Sequence, residues 1–132
     1  MSDVFSIATS GLRAQSTRLA VSADNVANQR SLGADPGSGQ AAPGAFVPQE
    51  VALTAIPGGG VRSETRPVDP PSRPSYEPGA PEAGADGTVP RPNVSLEREF
   101  VVQIEAQRAY EASLRVLETA DKMHSGLVDI LS

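Results

Sequence analysis

The chain offers few side chains that could carry acid–base or metal chemistry. Its one histidine, His124, stands beside Asp121 and Lys122 in the last segment, and cysteine is absent. A histidine that acts as a general base needs an oriented partner and a cleft, so this setting favours a solvated helical histidine. Metal sites built from Cys or His clusters are excluded by the residue count. We therefore predict a protein that is not an enzyme, with no catalytic residue, no cofactor and no metal.

Other ligand classes are disfavoured by composition. The glycines at 58–60 are not followed by the lysine and hydroxyl residue of a phosphate-binding loop, and we interpret them as a hairpin turn. The net charge of −5, without a basic cluster, predicts no nucleic-acid partner. No run approaches the ~20 apolar residues of a membrane span, and the first residues lack the basic region of a signal peptide. We expect no direct membrane insertion and no cleaved signal peptide.

The prolines divide the chain into elements. All twelve lie between Pro36 and Pro92, and proline is excluded from helix interiors. The predicted fold is mainly α, with two long terminal helices packed as an α-helical hairpin or coiled coil and a small, irregular, β-containing middle rich in Pro and Gly. The predicted parts are 1–32 for the N-terminal helix, 33–92 for the extended middle and 93–132 for the C-terminal helix.

Apolar residues recur every seventh position in both flanks, which keeps a stripe facing a partner only in supercoiled helices. The N-terminal line consists of Phe5, Leu12, Leu19 and Val26. The C-terminal line consists of Val102, Ala109, Val116, Met123 and Ile130. A second C-terminal row consists of Ala106, Ser113, Ala120 and Leu127, and a third of Leu96, Phe100, Tyr110, Leu114 and Leu117. The second and third rows make the apolar face of the C-terminal helix wider than the N-terminal helix can cover. We therefore expect neighbouring chains to complete the core.

Capping residues set the expected helix bounds. The first helix should begin near Ser2 or Asp3 and reach about Asn28, ending before a left-handed stop at Gly33. The last should be capped by Ser95 and reach about Leu131, outrunning the first by about ten residues. Gly11 lies inside the first helix, where it favours close approach by another helix.

The middle contains one predicted hairpin. Phe46–Ile56 and Val61–Val68 are the strand candidates, joined through the three glycines. Asp86 and Gly87 form a turn signal without convincing strands beside it. From Pro67 to Pro92 we expect an extended, irregular strap that covers the helices.

Amide side chains interrupt the apolar rows of both helices. Buried amides can fix the register between helices, whereas at boundary positions they are simply solvated, and the pattern leaves both readings open. The residues concerned are Gln15, Asn25, Asn28, Gln103 and Gln107.

Two terminal motifs resemble those of a known family. Residues 10–15 (SGLRAQ), with 24–28 (DNVAN), resemble the N-terminal signature of bacterial flagellar rod and hook proteins. Residues 107–112 (QRAYEA) and 119–123 (TADKM) are similar to the C-terminal signature, and 76–94 is similar to a proximal rod member. Many relatives have Thr-Pro-Gly-Tyr after the first signature, where this chain has 31–34 (SLGA).

The resemblance implies a structural subunit of the flagellar basal-body rod, crossing the periplasm. It would assemble through its terminal helices into a helical tube that transmits torque. The implied partners are copies of itself, other flagellar rod proteins and the flagellar type III export apparatus. The motifs match at Asn25, Ala27 and Asn28 and at Gln107, Arg108, Ala109 and Tyr110. With the apolar rows, the expected assembly residues are Phe5, Leu12, Leu19, Asn25, Val26, Ala27, Asn28, Val102, Gln107, Arg108, Ala109, Tyr110, Val116, Ala120, Met123 and Leu127.

Three alternatives remain open from the sequence. A soluble coiled-coil adaptor or regulatory dimer would share the periodic flanks. Another axial member, of the distal rod or hook type, would share the C-terminal motif. A membrane-surface protein is disfavoured because the first helix lacks a cationic face.

Overall fold

The computed structural model describes residues 2–32 and 46–131 of the chain. Along the chain, one long helix comes first, four short strands follow, and a second long helix comes last. The elements are α1 (Ser2–Asn28), β1 (Gln49–Ala55), β2 (Val61–Pro67), β3 (Ser72–Tyr76), β4 (Thr88–Pro92) and α2 (Leu96–Leu131). The predicted mainly α fold with a small β middle is confirmed at this level, and both helices have the expected bounds. The predicted stop at Gly33 lies outside the described residues.

The two helices pack side by side in antiparallel directions. Near one end Gly11 of α1 lies against Ser113 of α2, and near the other the Ser22 hydroxyl donates a hydrogen bond to the Glu99 carbonyl. The helices have 27 and 36 residues, so α2 continues past the beginning of α1. Its residues 121–129 are all exposed, and we call this segment the tail.

The beginning of α2 has the predicted cap. The Ser95 hydroxyl accepts a 3.4 Å hydrogen bond from the Arg98 amide and donates a 2.8 Å bond to the Glu97 carboxylate. A hydrogen bond from its own backbone amide, followed by the one from Ser95, lowers the pKa of Glu97. These contacts satisfy amide groups that have no partner within a first helical turn.

Strands β1 and β2 form the predicted antiparallel hairpin, from the Gln49–Pro67 pair to the Ala55–Val61 pair. The turn closes with hydrogen bonds from the Ile56 amide to the Gly60 carbonyl and from the Gly59 amide to the Ile56 carbonyl. The three glycines have φ angles of 91°, 107° and 92°, which side chains disfavour. The glycines therefore make this turn possible.

Strands β3 and β4 form a second antiparallel hairpin, so the irregular strap predicted for this region is wrong over the paired residues. The prediction failed because prolines argue against strands. Here Pro74 pairs with Pro90, and Ser72 with Pro92. The Glu77 amide donates a hydrogen bond to the Gly87 carbonyl. The cross-strand pairs that exchange backbone hydrogen bonds are therefore those at every second position from this pair. Pro74, Pro90 and Pro92 occupy the intervening pairs, which exchange no backbone hydrogen bond, so the missing amide hydrogen of proline costs the sheet nothing.

Gly11 provides a test of the helix packing. A Cβ atom on Gly11 would lie 3.0 Å from the Ser113 hydroxyl oxygen, whereas one on Gly126 would have nothing within 4 Å. We expect Gly11→Leu to destabilise the fold by about 1–3 kcal/mol, because it forces the helices apart. The matched control Gly126→Leu should be neutral or gain up to about 1 kcal/mol in helix propensity. Urea unfolding followed by circular dichroism measures both, and equal effects would contradict close approach at Gly11.

Candidate assembly interface

The first hairpin is held on α1 by the side-chain amide of Asn25, which is 2% exposed. Its oxygen accepts a 3.0 Å hydrogen bond from the Gln49 backbone amide, and its nitrogen donates a 2.7 Å bond to the Gln49 carbonyl. The same nitrogen donates a 2.9 Å bond to the Glu99 carboxylate. One amide therefore joins α1, β1 and α2, and both of its N–H groups are used.

The other end of the hairpin rests on the first turns of α1. The Ser10 hydroxyl accepts a 3.0 Å hydrogen bond from the Val61 amide and donates to the Ile7 carbonyl. The turn is so close that a Cβ on Gly59 would lie 2.6 Å from the Ile7 side chain, and one on Gly60 would lie 2.8 Å from the Ser10 oxygen. Glycine is therefore required here for contact as well as for the turn.

Small and polar groups form much of the contact between the helices. Ser22 is 1% exposed, and the Gln103 amide donates a 3.2 Å hydrogen bond to its hydroxyl. Arg18 and Glu105 form a 3.1 Å ion pair at the solvent-exposed edge of the helix contact. Ala106 and Ala120, from the second predicted row, are buried at 1% and 2% exposure. Few large apolar side chains are used in this contact.

Arg91 forms an ion pair within the second hairpin and a hydrogen bond to the chain just after α1. The Arg91 guanidinium donates two 2.7 Å hydrogen bonds to the Glu77 carboxylate and a 3.1 Å bond to the Arg30 carbonyl. Hydrogen bonds from Arg91 and then from Ser75 hold the pKa of Glu77 below its ordinary range. Val89, Pro92 and Val94, on or just after β4, are buried. The ion pair thus closes this hairpin, and the bond from Arg91 to Arg30 joins it to the chain after α1.

Large apolar side chains remain uncovered on one side of the helix pair. Leu19, Phe100, Ile104 and Tyr110 are between 40% and 53% exposed and line a shallow groove of about 550 Å³. We call it the apolar groove. Its other five lining residues are three glutamines, a serine and an alanine, and none belongs to a strand. The whole lining is therefore uncharged, and the hairpins leave it open.

A second apolar surface lies in the tail. Met123, Leu127 and Val128 are exposed at 56%, 50% and 55%, and Val116 just before the tail is 49% exposed. Met123 and Leu127 are four residues apart and so share one face of the helix. The third predicted row also contributes exposed side chains at Phe100, Tyr110 and Leu114. The expectation that α2 carries more apolar surface than α1 covers is met within the described residues.

The predicted N-terminal line does not lie at the centre of the helix contact. Phe5, Leu12 and Val26 are half-buried and Leu19 is exposed, whereas Ala8, Ser22 and Asn25 are buried. The contact runs through Gly11 and Asn25, each one position before a member of the line. Hydrophobic periodicity could not find these positions, because their residues are small or polar.

The other expected assembly residues are distributed between buried and exposed positions. Ala120 is buried, Val102 and Ala109 are half-buried, and Val116, Met123 and Leu127 are exposed. Ala27, Gln107, Arg108 and Tyr110 are exposed, and Asn28 is half-buried. Asn28 hydrogen-bonds Asp24, and Gln107 donates to Glu111, so both bond locally along their helices. Their roles in assembly remain predictions.

Within the described ranges, the remaining surface offers little for chemistry. A polar cleft of about 240 Å³ lies between α1, β1 and the beginning of α2, lined among others by Arg18, Glu50 and Arg98. Glu50 is already engaged there by Arg66 and Arg98. No group of three potential metal ligands occurs in residues 2–32 and 46–131. Nor is either helix, over the residues described, long and apolar enough to cross a membrane.

The fold and surface define an elongated helical-hairpin protein with apolar side chains left open on its longer helix. Residues 85–130 match the family model described as flagellar basal body rod FlgEFG protein, C-terminal. The chain is 41% identical over 122 residues to the flagellar basal-body rod protein FlgC of Yersinia enterocolitica, covering 92% of this chain and 90% of the relative. It is 37% identical over 121 residues to FlgC of Escherichia coli O6:H1, with the same coverage. It is 34% identical over 128 residues to FlgC of Agrobacterium fabrum, covering 95% and 91%.

The chain belongs to the FlgC family of flagellar basal-body rod proteins. This confirms the predicted resemblance and the predicted function, a structural subunit of the flagellar basal-body rod. The matched C-terminal region contains β4 and nearly all of α2, including the apolar groove's α2 side and the tail.

Asn25 provides the first test of this site. We expect Asn25→Ala to lower the free energy of unfolding by about 1–3 kcal/mol, because polar groups of Gln49 and Glu99 lose their partner. The control Asn28→Ala removes only bonds to Asp24 within α1 and should cost within about 0.5 kcal/mol. Urea unfolding of both variants measures the difference. A loss at Asn25 no larger than that at Asn28 would show that the amide does not hold the hairpin.

The Glu77–Arg91 pair predicts a pH dependence. Because the pKa of Glu77 is lowered in the fold, the pair stabilises the protein at neutral pH, and its contribution is lost as the pH falls through that lowered pKa. The difference in melting temperature between the parent chain and Glu77→Gln should therefore shrink from pH 7 to about pH 3. Thermal melts at a series of pH values check this. A difference that stays constant across the range would contradict the role of the carboxylate.

Proposed function

We propose that the chain builds the rod by self-association through its terminal helices, together with other rod proteins. The observation that carries the proposal is the set of apolar side chains left open on α2, in the uncharged apolar groove and along the tail. Exposed apolar side chains that lie together, rimmed by polar residues, are typical of interaction sites. Contacts repeated around a helical tube add up, so each can be modest while the assembled rod transmits torque.

Coiled-coil packing is part of the proposal. The less exposed positions of α2 include Glu99, Gln103, Ala106, Ser113 and Ala120, which recur at steps of three, four and seven residues. That spacing is typical of helices that supercoil around each other. The expected assembly residues, from Phe5 to Leu127, would then divide between the contact inside the hairpin and contacts with neighbouring subunits. Ala120 would take part in the contact inside the hairpin, and Met123 and Leu127 would take part in contacts with neighbouring subunits.

A mechanical role fits the chemistry of the surface. The polar groups of the hairpin contacts are engaged in holding elements together, as Asn25 and Arg91 are. We propose accordingly that the protein is not an enzyme and works without a cofactor. The three-part division into 1–32, 33–92 and 93–132 is retained as the proposed domain organisation. We also propose export by the flagellar type III apparatus without a cleaved signal peptide, and a position in the periplasm-spanning rod.

The competing adaptor function would use a two-fold dimer. An isologous contact brings the same patch of both copies together. In such a dimer the tail of each copy could also lie in the groove of the other. The rod-protein family to which the chain belongs, and not the number of open surfaces, therefore favours a repeating assembly.

A charge in the apolar groove tests the proposed function. Ile104 is 51% exposed, so Ile104→Glu should leave the hairpin folded and prevent rod assembly, because a carboxylate would be buried without a partner between subunits. The control Ala112→Glu places the same side chain at another exposed position of α2. Each variant is expressed in a strain that lacks the chain, and basal bodies are imaged by electron microscopy alongside swimming assays. Circular dichroism of the purified variants checks that both stay helical.

The control should restore complete rods and swimming, whereas Ile104→Glu should give incomplete rods and no swimming. Complete rods with Ile104→Glu would remove the groove from the assembly. Normal rods in the deletion strain itself would contradict the rod function altogether.

A further inference from the structure

We propose that the apolar groove of one copy receives the tail of a second copy. The inference rests on the proposed self-assembly and names its contact. The groove is formed by Leu19 of α1 with Phe100, Ile104 and Tyr110 of α2, and the tail is residues 121–129. The occupant is thus a described segment of this chain, with large apolar side chains that nothing in the described residues covers.

The two surfaces match in charge. The chain has 27 charged residues, 11 basic and 16 acidic, yet all nine residues that line the groove are uncharged. Residues 123–128 of the tail (MHSGLV) contain no Asp, Glu, Lys or Arg, and the charged side chains of the tail, Asp121, Lys122 and Asp129, lie at its two ends. Each copy carries a net charge of −5, so two copies repel overall. A contact between the groove and residues 123–128 adds no like-charge pair to that repulsion.

The shape of the tail also suits an open groove. Ser125 and Gly126 are small, and a Cβ on Gly126 would meet nothing within 4 Å. A glycine inside a helix costs about 1 kcal/mol relative to alanine, and no contact within the described residues accounts for it. Beside these small residues, Met123 and Leu127 project from one face, each about 50% exposed or more. A helix with two projecting apolar side chains beside a small surface can lie closely on the groove and fill it.

A copy cannot fill its own groove. The groove residues of α2 end at Tyr110 and the tail begins at 121, on one continuous helix. From Ile104 to Leu127 the helix rises by about 35 Å. The contact must therefore join two chains. Because the proposed function is a rod, we take the contact as heterologous: the copy that supplies its tail receives the tail of a further copy, which generates rings or open helical assemblies. A reciprocal exchange between two copies would instead close a dimer and give no ladder on cross-linking.

The absence of cysteine permits a direct cross-linking test. Ser16→Cys places a thiol on the groove lining, and Ser125→Cys places one in the tail. A disulfide forms only when the two Cα atoms come within about 7 Å. The two purified variants are oxidised separately and as an equal mixture at high concentration, and the cross-linked peptides are identified by mass spectrometry. We expect the mixture to give about tenfold more disulfide than either variant alone.

Adding Ile104→Glu to the Ser16→Cys chain should abolish the cross-link, and adding Ala112→Glu should leave it unchanged. Equal cross-linking by one variant alone would overturn the proposal, since it would show groove meeting groove or tail meeting tail. So would a mixture that gives no disulfide above the single variants.

The same pair of substitutions in one chain separates this proposal from the proposed function. In cells, Ser16→Cys/Ser125→Cys should yield basal bodies whose oxidation produces a ladder of cross-linked chains. Complete rods and normal swimming without a ladder would overturn the tail-in-groove contact while the rod function stands. Normal rods in the strain that lacks the chain would instead overturn the rod function.

Discussion

The side-chain amide of Asn25 is the interaction on which the rest of the structure depends. It occupies the outer edge of β1 as a further peptide group would, bonding both the amide and the carbonyl of Gln49, and it reaches the Glu99 carboxylate near the beginning of α2. A buried amide of this kind must keep all of its partners, because unpaired polar groups are costly away from water. Removing it would loosen this end of the hairpin from α1 and remove one link between the two helices. The Ser10–Val61 bond then sets where the other end of the hairpin lies.

This polar attachment has a consequence for the surface. The helices approach through glycine, alanine and serine, and the hairpin is held by hydrogen bonds, so few large apolar side chains are needed inside the chain. Those that periodicity places on α2 stay outside, at the groove and along the tail. A single subunit is thereby folded with modest apolar burial, and several of its large apolar side chains remain exposed. The contacts that shape the subunit are thus separate from the surfaces that we propose for assembly.

The sequence predicted the parts whose signals are local. Proline distribution and capping residues located both helices to within a few residues, and the Ser95 cap is in place. The first hairpin was predicted because three consecutive glycines separate two strand candidates, and in the structure all three glycines have positive φ. The second hairpin escaped prediction because its prolines look incompatible with strands, and only the register with Pro90 and Pro92 between hydrogen-bonded pairs makes them compatible. Close approach at Gly11 was predicted and is confirmed, but the heptad line itself missed the centre of the contact, because Ser22 and Asn25 carry no hydrophobic signal.

The sequence by itself thus determined that two proline-free helices flank a strand-forming middle, and that the longer helix has more apolar rows than its partner can cover. Those features depend on backbone restriction and on helical periodicity, both of which act over a few residues. Only the tertiary structure decided which face of each helix meets the other, where the hairpins attach and which apolar side chains stay open. These depend on pairings such as Asn25 with Gln49 and Arg91 with the Arg30 carbonyl, whose members lie 24 and 61 residues apart. Polar groups at such separations are brought together by the whole fold, and no local pattern predicts their partners.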